Sequence, residues 1–205
     1  LTPVFLEVEY RMPGFPQDDY GFTFSERLHW SRLALDYLVN DEDISFLGEL
    51  HFPDGSPLYN ERELRHMVDV KLVVQQMLTA WRLLTPLLII TGIWAQTRGW
   101  RRNYWQAVMR GGWLTVGLIA AILLSVAVSF NALFTFFHRI FFEGDTWIFL
   151  WSDTLIRLFP LRLWQDAFIY VGGFSLALAA LCIALGRKLS IQNNYPLSLP
   201  GRGLG

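Results

Sequence analysis

The chain has 205 residues, of which 53% are hydrophobic, and its formal net charge of −1 gives no basis for a nucleic-acid partner. The apolar residues lie in long runs rather than alternating with polar ones, which excludes an ordinary soluble domain. Its single cysteine, Cys182, excludes an internal disulfide and a Cys-x-x-Cys metal cluster.

The N-terminal third reads as a helical domain outside the membrane. Residues 1–6 are apolar and have the composition of the end of a transmembrane helix, and residues 7–71 are predicted to form an extracellular cap. Thr23-Phe-Ser-Glu26 is a capping box that opens a helix running to about Val39. Asn60 is predicted to cap a second helix, with Glu63 at its third position, that continues without Pro or Gly to Pro86.

Three segments are apolar enough to cross a bilayer core, which takes about 20 helical residues. They predict an all-α membrane protein whose transmembrane helical bundle occupies residues 72–186 and carries a small helical cap. An outer loop over 138–166 and a cytoplasmic tail over 187–205 complete the organisation. The predicted spans are 72–95, 113–137 and 167–186.

Basic residues orient these spans, because short cytoplasmic loops are enriched in Lys and Arg. The loop between the first two spans has several Arg and no acidic residue, and Arg187 and Lys188 follow the last span. Both places are therefore predicted to be cytoplasmic, which puts residues 1–71 and 138–166 outside. Residues 1–71 hold fourteen acidic and six basic side chains, as expected for an outer segment.

Two histidines are the leading candidates for chemistry. His66 lies near the outer end of one predicted span and His138 directly follows another, so both are expected at the same membrane depth. Asp69 is three residues after His66 and shares its helix face.

Arg82 lies roughly 15 Å below the outer boundary at 1.5 Å rise per residue, where an unpaired charge is costly. Two interpretations stay open for it. The guanidinium binds an anionic or carbonyl group in a membrane cavity, or it pairs with Asn131 or Ser129. No Gly-x-Ser-x-Gly, His-Glu-x-x-His or phosphate-loop motif occurs, so a Ser or Cys acyl-enzyme is not supported.

A series of short motifs occurs along most of the chain. In order they are Glu9-Tyr10, Pro13-Gly14-Phe15-Pro16, Asp19-Tyr20-Gly21-Phe22-Thr23, Asn60-Glu-Arg-Glu63, His66-Met67-Val68-Asp69-Val70-Lys71, Phe137-His138-Arg139-Ile140-Phe141-Phe142, Gly144-Asp145, Trp147 and Asp153-Thr154-Leu155-Ile156. Together these motifs resemble those of the Lit family, the lipoprotein intramolecular transacylases of Gram-positive bacteria. The resemblance extends from Pro3 to about Gly186.

The resemblance implies a multi-pass plasma-membrane enzyme with four transmembrane helices, the first cut short here near Leu6, and an extracellular cap and active site. Family enzymes move the sn-2 acyl chain of a diacylglyceryl-modified N-terminal Cys onto the α-amine of that residue, giving a lyso-form lipoprotein. Its two essential histidines correspond to His66 and His138. The implied partners are a diacylated bacterial lipoprotein and membrane lipid, and the chain is expected to act as a monomer without cofactor or metal.

This reaction suits a histidine pair, because the substrate's own amine is the nucleophile and needs a base near neutral pH. One histidine would deprotonate the amine, and the other would stabilise the oxyanion or protonate the departing glycerol oxygen. His66 is the better candidate for the base, with Asp69 orienting its ring. Further substrate-binding or supporting contacts are predicted for Tyr10, Asp69, Arg82, Arg139, Asp145 and Trp147.

Two alternatives remain at this level. The first is a metal-dependent membrane hydrolase whose metal ligands would be His66, Asp69 and His138. A non-enzymatic accessory membrane protein would instead use its cap to bind a partner.

Overall fold

The computed structural model describes residues 2–142 and 144–191. Within these ranges the chain forms helices and no strand, and one isolated bridge pairs His51 with Pro57. Three of the helices are long and apolar enough to cross a membrane, which confirms the predicted all-α membrane fold. The helices are α1 Pro3–Glu9, α2 Phe24–Val39, α3 Ser45–Gly48, α4 Glu61–Thr97, α5 Arg101–Phe141, α6 Thr154–Leu158 and α7 Leu161–Ile191.

The first of two compact units comprises Leu1–Leu83 and Leu124–Tyr170. It is larger than the predicted cap segment 7–71, because residues after α5 complete both of its hydrophobic cores. Leu155 and Leu158 belong to one core, and Leu163 belongs to the other. The first core also contains Ala34, Tyr37, Leu47, Leu58, Tyr59 and Met67, and the second contains Leu6, Leu28 and Leu35.

Side-chain caps fix where α2 and α4 begin, as the sequence predicts. The Thr23 hydroxyl accepts the Glu26 amide, and the Glu26 carboxylate accepts the Thr23 amide. At α4, the Asn60 side-chain oxygen accepts the Glu63 amide at 3.1 Å while the Glu63 carboxylate accepts the Asn60 amide at 2.8 Å. Both are reciprocal capping boxes, so each helix start is set by residues within four positions of it.

Helix α1 begins at Pro3 after the N-cap Thr2 and packs through Leu6, which is fully buried in the second core. The side chain of Glu9 at its end is 1% exposed. Burial, followed by the neighbouring Asp166 carboxyl, raises the pKa of Glu9 to about 7. Folding therefore favours the protonated form of this side chain.

We expect the stability contributed by Glu9 to be complete below its unfolded pKa, near 4.5, and to be lost as pH rises to about 7. Glu9→Gln should flatten this part of the stability profile. Thermal unfolding of the purified protein in detergent between these pH values measures the slope. Glu7→Gln, on the same helix but at an exposed ion pair with Arg11, should keep the wild-type slope.

The second unit comprises Leu84–Leu123 and Val171–Gly205 and contains parts of α4, α5 and α7. Within the most apolar stretch of α4 no residue is buried, and large side chains such as Leu88 and Ile90 are about 60% exposed. Such a surface is stable in lipid rather than in water. The predicted spans 72–95, 113–137 and 167–186 lie inside α4, α5 and α7, which are all longer.

Helix α5, which contains the predicted span 113–137, is interrupted by a kink that the sequence did not predict. Ser129 has extended backbone angles (φ −161°, ψ 97°) and separates two helical segments. The Ser129 hydroxyl accepts the Ala132 amide at 3.3 Å, as an N-cap would. A polar side chain thus satisfies a donor that the kink releases from the helix, and the segment carrying His138 starts anew after it.

The predicted tail 187–205 begins as helix, because α7 continues to Ile191. The remainder of that tail, residues 192–205, lies outside the described residues.

Candidate active site

The two candidate histidines face each other within the first unit. His66 is on α4 and is 8% exposed, and His138 is on the last turn of α5. Their ring centroids are 6.1 Å apart and the rings are inclined by only 17°. Residues 72 positions apart in sequence therefore present their imidazoles to one another, as expected from their matched depth.

Aromatic side chains enclose this pair. The Phe142 ring lies 4.8 Å from His66 and 5.4 Å from His138, so it contacts both imidazoles. Phe149 lies 5.2 Å from His66, and Trp147 lies 5.0 Å from His138. The surroundings of the pair are thus apolar, which strengthens every electrostatic interaction made there.

A backbone contact fixes the tautomer of His138. Its Nδ1 is 2.8 Å from the carbonyl oxygen of Phe134, one turn earlier on α5. A carbonyl only accepts hydrogen bonds, so Nδ1 must carry the proton and donate it. The lone pair of a neutral His138 imidazole is then on Nε2, and the Nδ1 contact holds the ring in place.

His66 differs, because its Nδ1 is buried without a hydrogen-bond partner. In the described chain no hydrogen bond joins this ring to Asp69, which is half-buried and one turn further along α4. The predicted orientation of His66 by Asp69 is therefore absent here: a shared helix face brings the two side chains near each other but does not aim the carboxylate at the ring. The ring keeps its hydrogen-bonding capacity for another group.

The start of α4, which carries His66, is anchored to α6. The Glu63 carboxylate is 1% exposed and accepts the Leu155 amide at 2.7 Å as well as the Asn60 amide. One turn of helix separates Glu63 from His66, so this anchor sets the position of the ring. Asp153 adds to it by accepting from Arg62 and from the Asn60 side chain.

Tyr10 makes no contact with either histidine among the described residues, and it joins α1, α2 and α6 of the first unit. Its hydroxyl donates to the Leu158 carbonyl at 2.6 Å and is 2.5 Å from the Ser31 hydroxyl. The Arg27 guanidinium stacks 4.7 Å from the centroid of its ring. Burial raises the pKa of Tyr10 to about 12, so the phenol stays protonated as a donor. Its contacts hold the first unit together rather than reach the histidine pair.

The other predicted contacts are placed differently from one another. Trp147 packs on His138 and donates from its indole to the Gly144 carbonyl at 3.1 Å. Arg139 and Asp145, which precede and follow Phe142 in the chain, are both exposed. Arg82 is exposed, and in the described part of the chain no hydrogen bond or ion pair ties it to Asn131 or Ser129, so the pairing interpretation is not seen.

The metal-hydrolase alternative needs several metal-ligating side chains gathered at one place. Among residues 2–142 and 144–191, no group of three or more His, Cys, Asp or Glu side chains has an arrangement that could hold a metal ion. His66, Asp69 and His138 therefore do not form the three-ligand set that the metal-hydrolase alternative needs.

Of the aromatic residues around the histidines, sequence reasoning predicted Trp147 as a contact but missed Phe134, Phe142 and Phe149. Phe134 and Phe142 are four residues before and after His138, so helical periodicity could have placed them beside it. Phe149 carries no such local signal, because it reaches His66 from a loop 83 residues later in the chain.

Comparison with known proteins gives three matches. Residues 2–164 match the model of a family described as lipoprotein intramolecular transacylase Lit. An uncharacterised protein of Aquifex aeolicus (strain VF5) is 28% identical over 182 residues, which are 89% of this chain and 81% of the relative. The crystal structure of the membrane-integral lipoprotein intramolecular transacylase Lit from Bacillus cereus shares the fold, with a TM-score of 0.62 and 21% identity over 80% of this chain and 74% of that one.

Proposed function

Because the chain belongs to the Lit family of lipoprotein intramolecular transacylases, which are membrane acyltransferases, we propose that His66 and His138 move an acyl chain within one lipoprotein molecule. The chain transferred is the sn-2 acyl group of the diacylglyceryl-modified N-terminal Cys, and the acceptor is the α-amine of that Cys. The product is a lyso-form lipoprotein, and no cofactor takes part.

The observation that carries this proposal is the fixed tautomer of His138 beside a second imidazole. A base must present a lone pair in a defined direction, and the Phe134 carbonyl gives His138 that property at Nε2. This reverses the preference for His66 as base that its spacing to Asp69 suggested. His66 then has the complementary role of donating a hydrogen bond from one of its ring nitrogens to the oxyanion.

The proton movements follow from these roles. The α-amine nitrogen attacks the sn-2 ester carbonyl carbon, and His138 Nε2 takes the proton that the nitrogen loses. His66 donates a hydrogen bond to the oxyanion of the tetrahedral intermediate. The bond between that carbon and the glycerol oxygen then breaks, and the His138 imidazolium returns its proton to this oxygen. The atoms balance without water, and the amine and ester share one Cys, which supplies their proximity.

The aromatic enclosure supports the transfer in two ways. Phe142 and Phe149 surround the imidazoles with apolar surface, which favours acyl chains and disfavours the water that would hydrolyse the ester. Tryptophan is enriched at membrane–water interfaces, and Trp147 is followed by the exposed Leu150 and Trp151. We place this face outside the cell, in line with the basic loop between α4 and α5.

We expect expression of this chain, in a host that makes only diacylated lipoproteins, to leave the mass of the N-terminal lipopeptide unchanged, because the transfer is intramolecular. Tandem mass spectrometry should instead find one acyl chain on the α-amine. Mild alkali should remove both acyl chains from the control lipopeptide but leave this one. Loss of one acyl mass would indicate a hydrolase, and an unaltered fragment pattern would favour the accessory-protein alternative.

A further inference from the structure

A groove in the second unit has a character that acyl transfer does not explain. It is an open cavity of about 630 Å³ between α5 and α7. Its lining is mostly apolar and includes two cationic side chains. The lining includes Trp113, Ile183, Ala184 and Ile191, with Arg187 and Lys188 as the cations.

Close contact between α5 and α7 makes this groove. A Cβ on Gly112 would lie 2.8 Å from the Ile183 side chain, and one on Gly186 would lie 2.7 Å from the Trp105 carbonyl oxygen. Glycine is therefore required at both contacts, as is common where membrane helices approach closely. Trp113, 60% exposed beside the first contact, forms one wall of the groove.

The second unit contains no acidic side chain that could pair with Arg187 or Lys188. Residues 84–123 and 171–205 contain no Asp or Glu at all, but seven Lys and Arg. Arg187 and Lys188 are both exposed, and no ion pair to either occurs among the described residues. No carboxylate of the described residues therefore pairs with these cations, which leaves both available to an anionic molecule.

The shape of the site identifies that molecule's class. We propose that the groove binds an anionic glycerophospholipid, with its phosphodiester on Arg187 and Lys188 and one acyl chain along the apolar wall. The stretch from Ala180 to Arg187 extends roughly 10 Å along α7, enough for part of an acyl chain. A small soluble anion would not need the apolar wall, where the exposed Trp113 side chain offers a surface that suits an acyl chain better than water. Basic pockets between transmembrane helices commonly hold anionic head groups in this way.

Native mass spectrometry of the delipidated full chain tests the site. Phosphatidylglycerol and phosphatidylcholine with identical acyl chains are added in equal amounts to protein in a neutral detergent. We expect retained phosphatidylglycerol at one site in excess over phosphatidylcholine. The double variant Arg187→Gln/Lys188→Gln should lose about 25-fold in affinity, since each surface cation contributes about fivefold. Ala184→Phe, which fills the groove without changing charge, should also weaken binding.

Matched controls separate a site from general attraction. Arg98→Gln/Arg102→Gln removes the same charge from exposed positions outside the lining, and Ala177→Phe adds the same ring to an exposed position of α7 outside it. Both should bind as the wild type does. Equal loss in the two charge variants, equal retention of the two lipids, or unchanged binding by Ala184→Phe would overturn the proposal. None of these residues belongs to the histidine site, so the outcome is independent of acyl transfer.

Discussion

Replacing His138 by Gln is expected to lower the transacylation rate by about 10²- to 10⁴-fold, the usual contribution of a general base. A glutamine amide occupies similar space and can still donate to the Phe134 carbonyl, but it has no basic lone pair to receive the proton of the amine. The initial rate of N-acylation of a synthetic diacylated lipopeptide, followed by the alkali-resistant acyl chain, measures the loss. His29→Gln makes the same change at an exposed histidine and should leave the rate unchanged.

His66 distinguishes the two roles. If it donates to the oxyanion, His66→Ala should lose about 10²- to 10³-fold, while His66→Gln, whose amide also donates, should recover part of that loss. His138→Gln should recover nothing relative to His138→Ala. Recovery by glutamine at His138 and not at His66 would assign the base to His66. Full activity in both alanine variants would remove the histidine pair from the mechanism.

Local features of this fold were predictable because their causes lie within one turn of helix. The capping boxes at Thr23 and Asn60 are set by residues three positions apart, and both helices start where the pattern predicts. Long apolar runs likewise predicted three of the helices, because a bilayer requires about 20 apolar residues in any context. The kink at Ser129 could not be predicted from the sequence, because the apolar run continues across it.

Contacts between segments that are distant in the chain could be predicted only in part from the sequence. The apolar spans and basic loops put His66 and His138 at one depth, which was enough to predict that they are neighbours. The same pattern could not show that His138 Nδ1 donates to the Phe134 carbonyl. Nor could it show that Asp69 makes no hydrogen bond to His66, because both features depend on side-chain rotamers. It suggested a polar partner for Arg82 that the described residues do not provide.

The anchor between Glu63 and α6 is the second place where a large effect is expected. Glu63→Ala should lower the free energy of unfolding by about 3 kcal/mol, because it leaves the amides of Leu155 and Asn60 without an acceptor and each costs about 1–3 kcal/mol. Both amides now bond to a carboxylate that is 1% exposed, so water cannot easily replace it. The apparent melting temperature in detergent should fall by about 6–12 °C.

Two further variants show whether the carboxylate itself is the cause. Glu63→Gln keeps one acceptor oxygen but turns an amide toward the other donor, so its loss should lie between wild type and Glu63→Ala. Glu61→Ala removes an acid two residues earlier whose side chain is 94% exposed, and it should change the melting temperature little. Equal effects at Glu61 and Glu63 would mean that first-turn charge, not the bond to Leu155, stabilises this end of α4. A specific loss at Glu63 would show that a contact spanning 92 residues holds the turn from which His66 projects.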